Sequence, residues 1–182
     1  MTIYEGSGHD WWHINRVKNI ATRIAKSEGA SQKIVYVASL MHEFDDKKLD
    51  LKTKDYKGFL EDTLTPLGFS QNFIREVYKI TKHGTYVGTG ATYKEYSLEG
   101  HCLRGADLID SAGAIGIARL FMYSGSKGIP LFVPNIKPDE EGYKNGVLSK
   151  SALNHFHEKI LLLEDWVQTE TAKKKSSEAG KS

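Results

Sequence analysis

The stretch SQKIVYVASLMHEFDDKK, residues 31–48, constrains the fold more strongly than any other part of the chain. Apolar side chains surround most of its first half, which predicts a helix from Ser31 to about His42 buried in the core. Ser31 is a residue type that commonly caps the start of a helix. The second half turns polar at His42, Glu43 and Asp45–Asp46. Ionisable groups at the end of a buried helix are costly unless they are paired or bind a metal ion.

The composition of the chain predicts one globular domain. The chain has 182 residues, of which 40% are hydrophobic and 26% charged, so it is long enough to bury a core without disulfides. A net charge of +2 is too weak to indicate nucleic-acid binding. A single cysteine, Cys102, excludes an intramolecular disulfide and favours a reducing compartment. Residues 1–12 lack the apolar core of a signal peptide, and no apolar run reaches membrane-spanning length. We therefore expect a cytoplasmic domain over residues 1–172 and a disordered basic tail over residues 173–182.

Apolar spacing elsewhere is helical, and no segment alternates convincingly with a period of two. The pattern predicts an all-α bundle with helices over residues 10–28, 31–42, 54–64, 70–82 and 97–122, and a last helix from about residue 149. The helix over 97–122 is rich in alanine and glycine, which allow another backbone to approach closely. Three prolines and four glycines between residues 123 and 146 predict a long loop.

Several side chains on these helices could form a metal site. His13 lies early on the first helix, and Asp107 lies in the small-residue helix between apolar neighbours. Imidazole nitrogens and carboxylate oxygens together suit a divalent metal ion. His42 and Glu43 can share one ion only where the helix end lets their side chains converge. Asp110, one turn beyond Asp107, is expected to support the site rather than to bind the ion.

Five segments in order along the chain extend this pattern into a family resemblance. They are HDWWHINRV (9–17), MHEFDDKK (41–48), GADLID (105–110), AIGIAR (114–119) and HFHEK (155–159). Together they resemble the HD-domain phosphohydrolase superfamily, and within it the small single-domain hydrolases that begin HDxxHxxRV. Several separated motifs in the right order are far more specific than one short match.

The resemblance implies an HD-type helical bundle that hydrolyses phosphate esters or anhydrides, often of nucleotides, with one or two divalent metal ions. Carried over by position, the metal ligands are His13, His42, Glu43 and Asp107. Glu43 stands where the family has aspartate, which keeps the oxygen donor but adds a methylene. Manganese is the first choice of metal, with cobalt, nickel, iron or magnesium as alternatives.

Metal-assisted phosphate hydrolysis also needs positive charge and a proton acceptor. Arg16 lies on the same helix face as His13 and can offset phosphate charge, as can Lys48. Asp46 can orient or deprotonate the attacking water. His83 is a further candidate phosphate contact, with a loop histidine bonded inside the fold as the alternative. Because histidine ligands must be neutral, metal affinity is expected to fall on acidification.

Simpler interpretations stay open for these residues. His42 could cap its helix as a cation, and Asp107 could be a structural carboxylate paired with Arg104 or Arg119. The main alternative function is an HD-fold nucleotide-binding module that Glu43 has weakened as a catalyst. A homodimer is compatible with the sequence, and neither a membrane nor a stable nucleic-acid partner is expected. Trp11 and Trp12 are expected to pack in the core or at its rim.

Overall fold

Helices joined by turns make up residues 10–45, 55–84 and 96–179, the parts of the chain that the computed structural model describes. Within these ranges there is no strand, and the predicted all-α class is confirmed. The elements in chain order are α1 (Trp11–Glu28), α2 (Gln32–Met41), a 3₁₀ turn (His42–Asp45), α3 (Tyr56–Leu64), α4 (Gln71–Gly84), α5 (Leu98–Asp110), α6 (Gly113–Ser126), α7 (Glu140–Lys144), α8 (Ala152–Glu158), a 3₁₀ turn (Ile160–Leu162), α9 (Leu163–Trp166) and α10 (Glu170–Ala179).

Capping residues explain where the first two helices begin and end. The Asp10 side chain accepts the backbone N–H of His13 at 2.9 Å, which starts α1 and places His13 in its first turn. Gly29 ends α1 with a left-handed φ of 75°, a conformation that glycine adopts without steric cost. Ser31 caps α2 by accepting the N–H of Ile34. These boundaries agree with the predicted ones.

The core lies where α1, α2 and α5 meet. Helix α5 packs against α1 and α2, α4 covers α2, and α10 lies against α5 and α1. The buried apolar side chains at the centre of this packing include Val17, Ile24, Val35, Leu103 and Ala106. The apolar face of α1 begins next to His13 and that of α5 runs beside Asp107, so core packing brings the two polar residues together.

The small-residue segment forms two helices, so the single predicted helix over residues 97–122 is wrong. Helix α5 ends at Asp110, and α6 begins at Gly113, whose φ of 70° lies in the left-handed region. A Cβ on Gly116 would collide with the Ser111 backbone, so the chain can turn this tightly only with glycine there. The turn folds α6 back towards the end of α5.

Part of the predicted loop over residues 123–146 is also ordered as helix, because α6 continues to Ser126 and α7 covers Glu140–Lys144. The loop is bound to α8 through backbone groups. The N–H of Ala152 donates to the Pro130 carbonyl at 2.9 Å, and the N–H of Asp139 donates to the buried Glu158 at 2.8 Å. A buried acceptor on α8 therefore gives the loop a defined path.

Residues 173–179 are helical, which corrects the expectation of a disordered tail for that part of residues 173–182; residues 180–182 lie outside the described residues. Helix α10 extends from Glu170 to Ala179, with Ala172 and Ser176 buried. Glu28, at the end of α1, accepts the backbone N–H of Thr171 at 2.7 Å. That contact joins residues 143 positions apart, so the local lysine-rich composition gave no sign of it.

Two further observations concern the surface. Trp11 and Trp12 are 49% and 66% exposed, so they lie outside the core, and of the expected core or rim positions only the rim is compatible with this exposure. None of the helices in the described ranges combines the length and apolar character that a bilayer crossing requires.

Candidate metal centre

Four side chains that the sequence singles out meet at one place. The Nε2 atom of His13 on α1 lies 2.8 Å from Oε1 of Glu43 and 3.5 Å from Oδ1 of Asp107 on α5. The Nε2 atom of His42 lies 3.3 Å from the same Glu43 oxygen. Ligand atoms of His13, His42 and Asp107 all fall within 4.8 Å of one another. The packing of α1, α2 and α5 thus gathers residues separated by more than 90 positions.

The 3₁₀ turn after α2 places His42 and Glu43 side by side. In a continuing α-helix, neighbouring side chains point about 100° apart. Here α2 ends at Met41 and the backbone tightens into the turn His42–Asp45. Both side chains are buried and point towards His13. This is the convergence at a helix end that a shared ion requires.

Each imidazole has an acceptor behind it that determines where its proton lies. The Nδ1 atom of His42 is 2.6 Å from the Ser39 carbonyl, and Nδ1 of His13 is 2.7 Å from Oδ2 of Asp110. A carbonyl or carboxylate oxygen can only accept, so both Nδ1 atoms donate. In the neutral rings the lone pairs therefore lie on Nε2, facing the cluster.

These distances and donors fit a divalent ion. Two ligands at right angles on an ion about 2.1 Å away lie about 3 Å apart. The Glu43 oxygen is 2.8 and 3.3 Å from the two Nε2 atoms, close to that spacing. Within the described residues, Nε2 of His42 is buried and makes no hydrogen bond, as expected for a lone pair kept for a ligand. His13, His42 and Asp107 could hold the ion, and Glu43 is placed to join them.

The negative charges dominate the electrostatics of the cluster. Burial lowers the pKa of His42, but the adjacent Glu43 carboxylate, 3.3 Å from Nε2, and the charge of Asp107 outweigh it and raise the pKa to about 9. Burial also lowers the pKa of His13, and the hydrogen bonds to Asp110 and Glu43 reverse this to a net increase. A site that attracts protons so strongly also attracts a metal cation.

The carboxylates on α5 respond in the opposite direction. Burial raises the pKa of Asp107, but the charges of His13, His42 and Lys159 lower it overall. For Asp110 the penalty of burial is outweighed by hydrogen bonds from His13 and Arg16, and the pKa falls to about 2. Both carboxylates are therefore ionised at neutral pH.

The other predicted site residues fall into two groups. Arg16 is close to the cluster, but its Nε and Nη2 atoms donate to Asp110 at 2.6 and 3.1 Å, so two of its nitrogens are engaged inside the protein. His83 lies in the last turn of α4, with its side chain outside the described part of the structure. Asp46 and Lys48 both lie outside the described residues.

Arg119 and Lys159 add two positively charged side chains to the predicted site residues. Arg119, named above as a possible partner of Asp107, donates to the buried Asp110 at 2.8 Å. Lys159, after α8, was not predicted as a site residue, although its charge acts on Asp107. Its one sequence signal is its place in the segment HFHEK, which is part of the family resemblance.

Known proteins share both the sequence and this architecture, although no family model matches the chain. The Bacillus subtilis protein YpgQ is 35% identical over 175 residues, which cover 96% of this chain and 78% of YpgQ. Its structure in complex with ADP superposes with a TM-score of 0.76, at 32% identity, over 97% of this chain and 85% of that one.

Two other solved structures share this fold with the chain. A Lactobacillus plantarum protein superposes with a TM-score of 0.83 at 30% identity, covering 97% of this chain and 82% of its own. An HD-superfamily hydrolase from Bacillus thuringiensis superposes with a TM-score of 0.70 at 31% identity, covering 95% of this chain and 79% of its own. The histidine and carboxylate cluster occupies the centre of a fold shared with that hydrolase over most of both chains, and the chain belongs to the HD superfamily of hydrolases.

Proposed function

We propose that the protein is a divalent-metal-dependent phosphohydrolase that cleaves a phosphate ester or anhydride of a small nucleotide. The observation that carries this proposal is the convergence of His13, His42, Glu43 and Asp107, with two buried imidazoles whose Nε2 atoms face the same carboxylate oxygen. We assign these four residues as the metal ligands, with manganese as the first choice. An ion held by them would lower the pKa of a bound water and polarise a phosphoryl oxygen.

Access to the cluster supports a substrate that approaches along α5. The Asp107 side chain is 28% exposed, whereas those of His42 and Glu43 are each 6% exposed and that of His13 is fully buried. Lys159 adds positive charge near Asp107, and we propose that it pairs with phosphate oxygens. Asp46 and Lys48 keep their proposed roles as proton acceptor and phosphate contact.

A nucleotide is the proposed substrate because the relative YpgQ has been solved in complex with ADP. At 35% sequence identity over nearly the whole chain, a shared type of ligand is a reasonable inference. The proposed reaction cleaves a phosphate ester or a phosphoanhydride bond of the nucleotide.

A turnover screen tests the proposal. Metal-free protein is reloaded separately with Mn, Co, Ni, Fe and Mg and offered nucleoside mono-, di- and triphosphates, and products are identified by mass. We expect metal-dependent release of phosphate or pyrophosphate. His42→Ala should reduce it by more than the roughly 100-fold that loss of a supporting residue behind a ligand costs. His157→Ala, which removes an exposed histidine of α8, is the matched control and should retain full activity.

The second candidate is a nucleotide-binding module without turnover, and Glu43 motivates it. Its Oε1 atom lies against both Nε2 atoms and could pair with protonated imidazoles instead of an ion. Glu43→Asp and Glu43→Gln separate the two candidates. For the hydrolase, Glu43→Gln should lower turnover by about tenfold or more, because a charged ligand is lost. Nucleotide binding without any product in wild type, unchanged by either variant, would establish the module.

A further inference from the structure

Asp110 is the meeting point of three helices behind the metal centre. It ends α5 and is 6% exposed. His13 and Arg16 reach it from α1, and Arg119 reaches it from α6. We name these four residues the Asp110 network. In a straight helix, residues nine positions apart are separated by about 13–14 Å along the axis. The tight turn between α5 and α6 therefore brings Arg119 back to Asp110.

Three donors converge on one oxygen of this carboxylate. Oδ2 of Asp110 accepts from Nδ1 of His13 at 2.7 Å, from Nη1 of Arg119 at 2.8 Å and from Nη2 of Arg16 at 3.1 Å. Oδ1 accepts from Nε of Arg16 at 2.6 Å. Guanidinium groups only donate, so their presence keeps Asp110 an acceptor towards His13. This holds one His13 proton on Nδ1, so that a neutral His13 ring has its lone pair on Nε2, beside Glu43.

We propose that the Asp110 network is a positioning device that keeps the Nε2 lone pair of His13 directed into the metal centre, and that Arg16 and Arg119 are positioning residues of this device. The inference rests on the proposed metal function for its consequence, because a fixed Nε2 lone pair matters only to a ligand bound there. It also changes the role of Arg16, which the sequence suggested as a phosphate contact. Its two donations to Asp110 assign it to the device instead.

Variants of Asp110 test the device through metal binding, which is independent of turnover. We expect Asp110→Ala to weaken Mn²⁺ binding, measured from the electron paramagnetic resonance signal of free Mn²⁺, by about 10–100-fold. Asp110→Asn should weaken it less. Because three donors meet at the Oδ2 position, the amide oxygen is held there and still accepts from His13. Arg119→Met should fall between wild type and Asp110→Ala, and Arg119→Lys should restore part of the loss.

The proton position on His13 gives a second measurement that does not require metal. Two-bond ¹⁵N–¹H spectra of histidine-labelled, metal-free protein distinguish Nδ1–H from Nε2–H rings, and loss of the signal in His13→Gln assigns it. At a pH above the raised pKa of His13, where the ring is neutral, wild type and Asp110→Asn should show a proton on Nδ1 alone, and Asp110→Ala should populate the Nε2–H form. Arg23→Met, an exposed arginine of the same helix, is the matched control and should change neither measurement.

Two results would overturn the proposed role of the Asp110 network. An Nε2 proton on neutral His13 in wild type contradicts it, as does a folded Asp110→Ala protein that binds Mn²⁺ as tightly as wild type. If wild type binds no divalent ion, the proposed function fails. The position of the proton on His13 then still shows whether the Asp110 network orients this ring. For Arg16, a weaker affinity of Arg16→Met for Mn²⁺ supports positioning. A raised KM with unchanged affinity for Mn²⁺ would return Arg16 to phosphate binding.

Discussion

The two histidines of the candidate metal centre are presented in the same way but held by different parts of the molecule. Both are buried, and both direct Nε2 towards Glu43. His42 is held by the carbonyl of Ser39, three residues earlier in the same segment. His13 is held by Asp110, which lies 97 residues away. One orientation is therefore a property of a local turn, and the other depends on the packing of three helices.

This difference has a consequence for how each histidine can be disturbed. A backbone carbonyl is present whatever the side chain at its position, so His42 is insensitive to most single substitutions behind it. The support of His13 depends on particular side chains, and removing any member of the Asp110 network affects it. Three experiments, ordered from the largest expected effect to the smallest, test whether the supports of His42 and His13 differ in this way.

The first prediction concerns pH and both histidines. With the pKa of His42 near 9, protons compete with a metal ion over the whole neutral range. Metal affinity should rise with pH by about tenfold per unit for each proton released, so release of the His42 proton alone contributes up to about 100-fold between pH 7 and 9. Mn²⁺ titrations at several pH values measure this. An affinity that is flat over this range would contradict the raised pKa.

The stability of the metal-free protein should change in the opposite direction and fall as the pH rises. A pKa raised from 6.5 to about 9 means that folding favours the protonated ring. The contribution of His42 to the free energy of unfolding is therefore fully present below about pH 6.5 and lost as the pH rises through about 9. Thermal unfolding of metal-free protein should show this decrease, and His42→Gln should remove it.

The second prediction disturbs the support of His13 without changing a charged residue. In Gly116→Ala the new Cβ would collide with the Ser111 backbone, so the turn between α5 and α6 must open. We expect a loss of about 1–3 kcal/mol in the free energy of unfolding. Weaker Mn²⁺ binding should accompany it, because Arg119 is displaced from Asp110.

Gly125→Ala in the same helix is the matched control. A Cβ there meets nothing within 4 Å, so the substitution should stabilise by about 0.5–1 kcal/mol through helix propensity. It should leave Mn²⁺ binding unchanged. Equal effects of the two substitutions on metal affinity would remove the link between the turn and His13.

The third prediction tests the local support of His42. Ser39→Ala keeps the carbonyl that accepts from His42 and loses only the Ser39 hydroxyl, which donates to the Val35 carbonyl at 2.7 Å. Stability should fall by no more than about 1 kcal/mol, and metal affinity should stay within about threefold of wild type. Chemical denaturation and Mn²⁺ titration measure the two. A large loss of affinity would show that the orientation of His42 is not local.

Sequence patterns predicted the bounds of α1 and α2 more accurately than the turn between α5 and α6, which lies behind the candidate site. The predicted ranges 10–28 and 31–42 agree with α1 and α2, which Asp10, Gly29 and Ser31 cap in the structure, because capping is a local interaction between residues three or four positions apart. The break between α5 and α6 was missed, since a run of small residues is compatible with either a continuous helix or a tight return. The ordered α10 was missed for a related reason, because its packing depends on distant partners.

The candidate site shows the same division. His13, His42, Glu43 and Asp107 were found from residue type, order and family resemblance, and the structure brings all four together. The pairing of Arg16 with Asp110 and the charge of Lys159 near Asp107 could be found only in the tertiary structure. Both depend on which long, flexible side chains can reach one carboxylate, and sequence spacing does not specify this.

The sequence by itself determined the helical class, the bounds of the first two helices and the residues proposed as metal ligands. The first two depend on local periodicity, and the third depends on side-chain chemistry and on the order of the family motifs. Only the tertiary structure decided that Asp110 stands behind His13 and that Arg119 returns to it across the turn at Gly113. The physical reason is that a hydrogen bond acts over about 3 Å. Residues 97 positions apart come that close only after α1, α5 and α6 have packed.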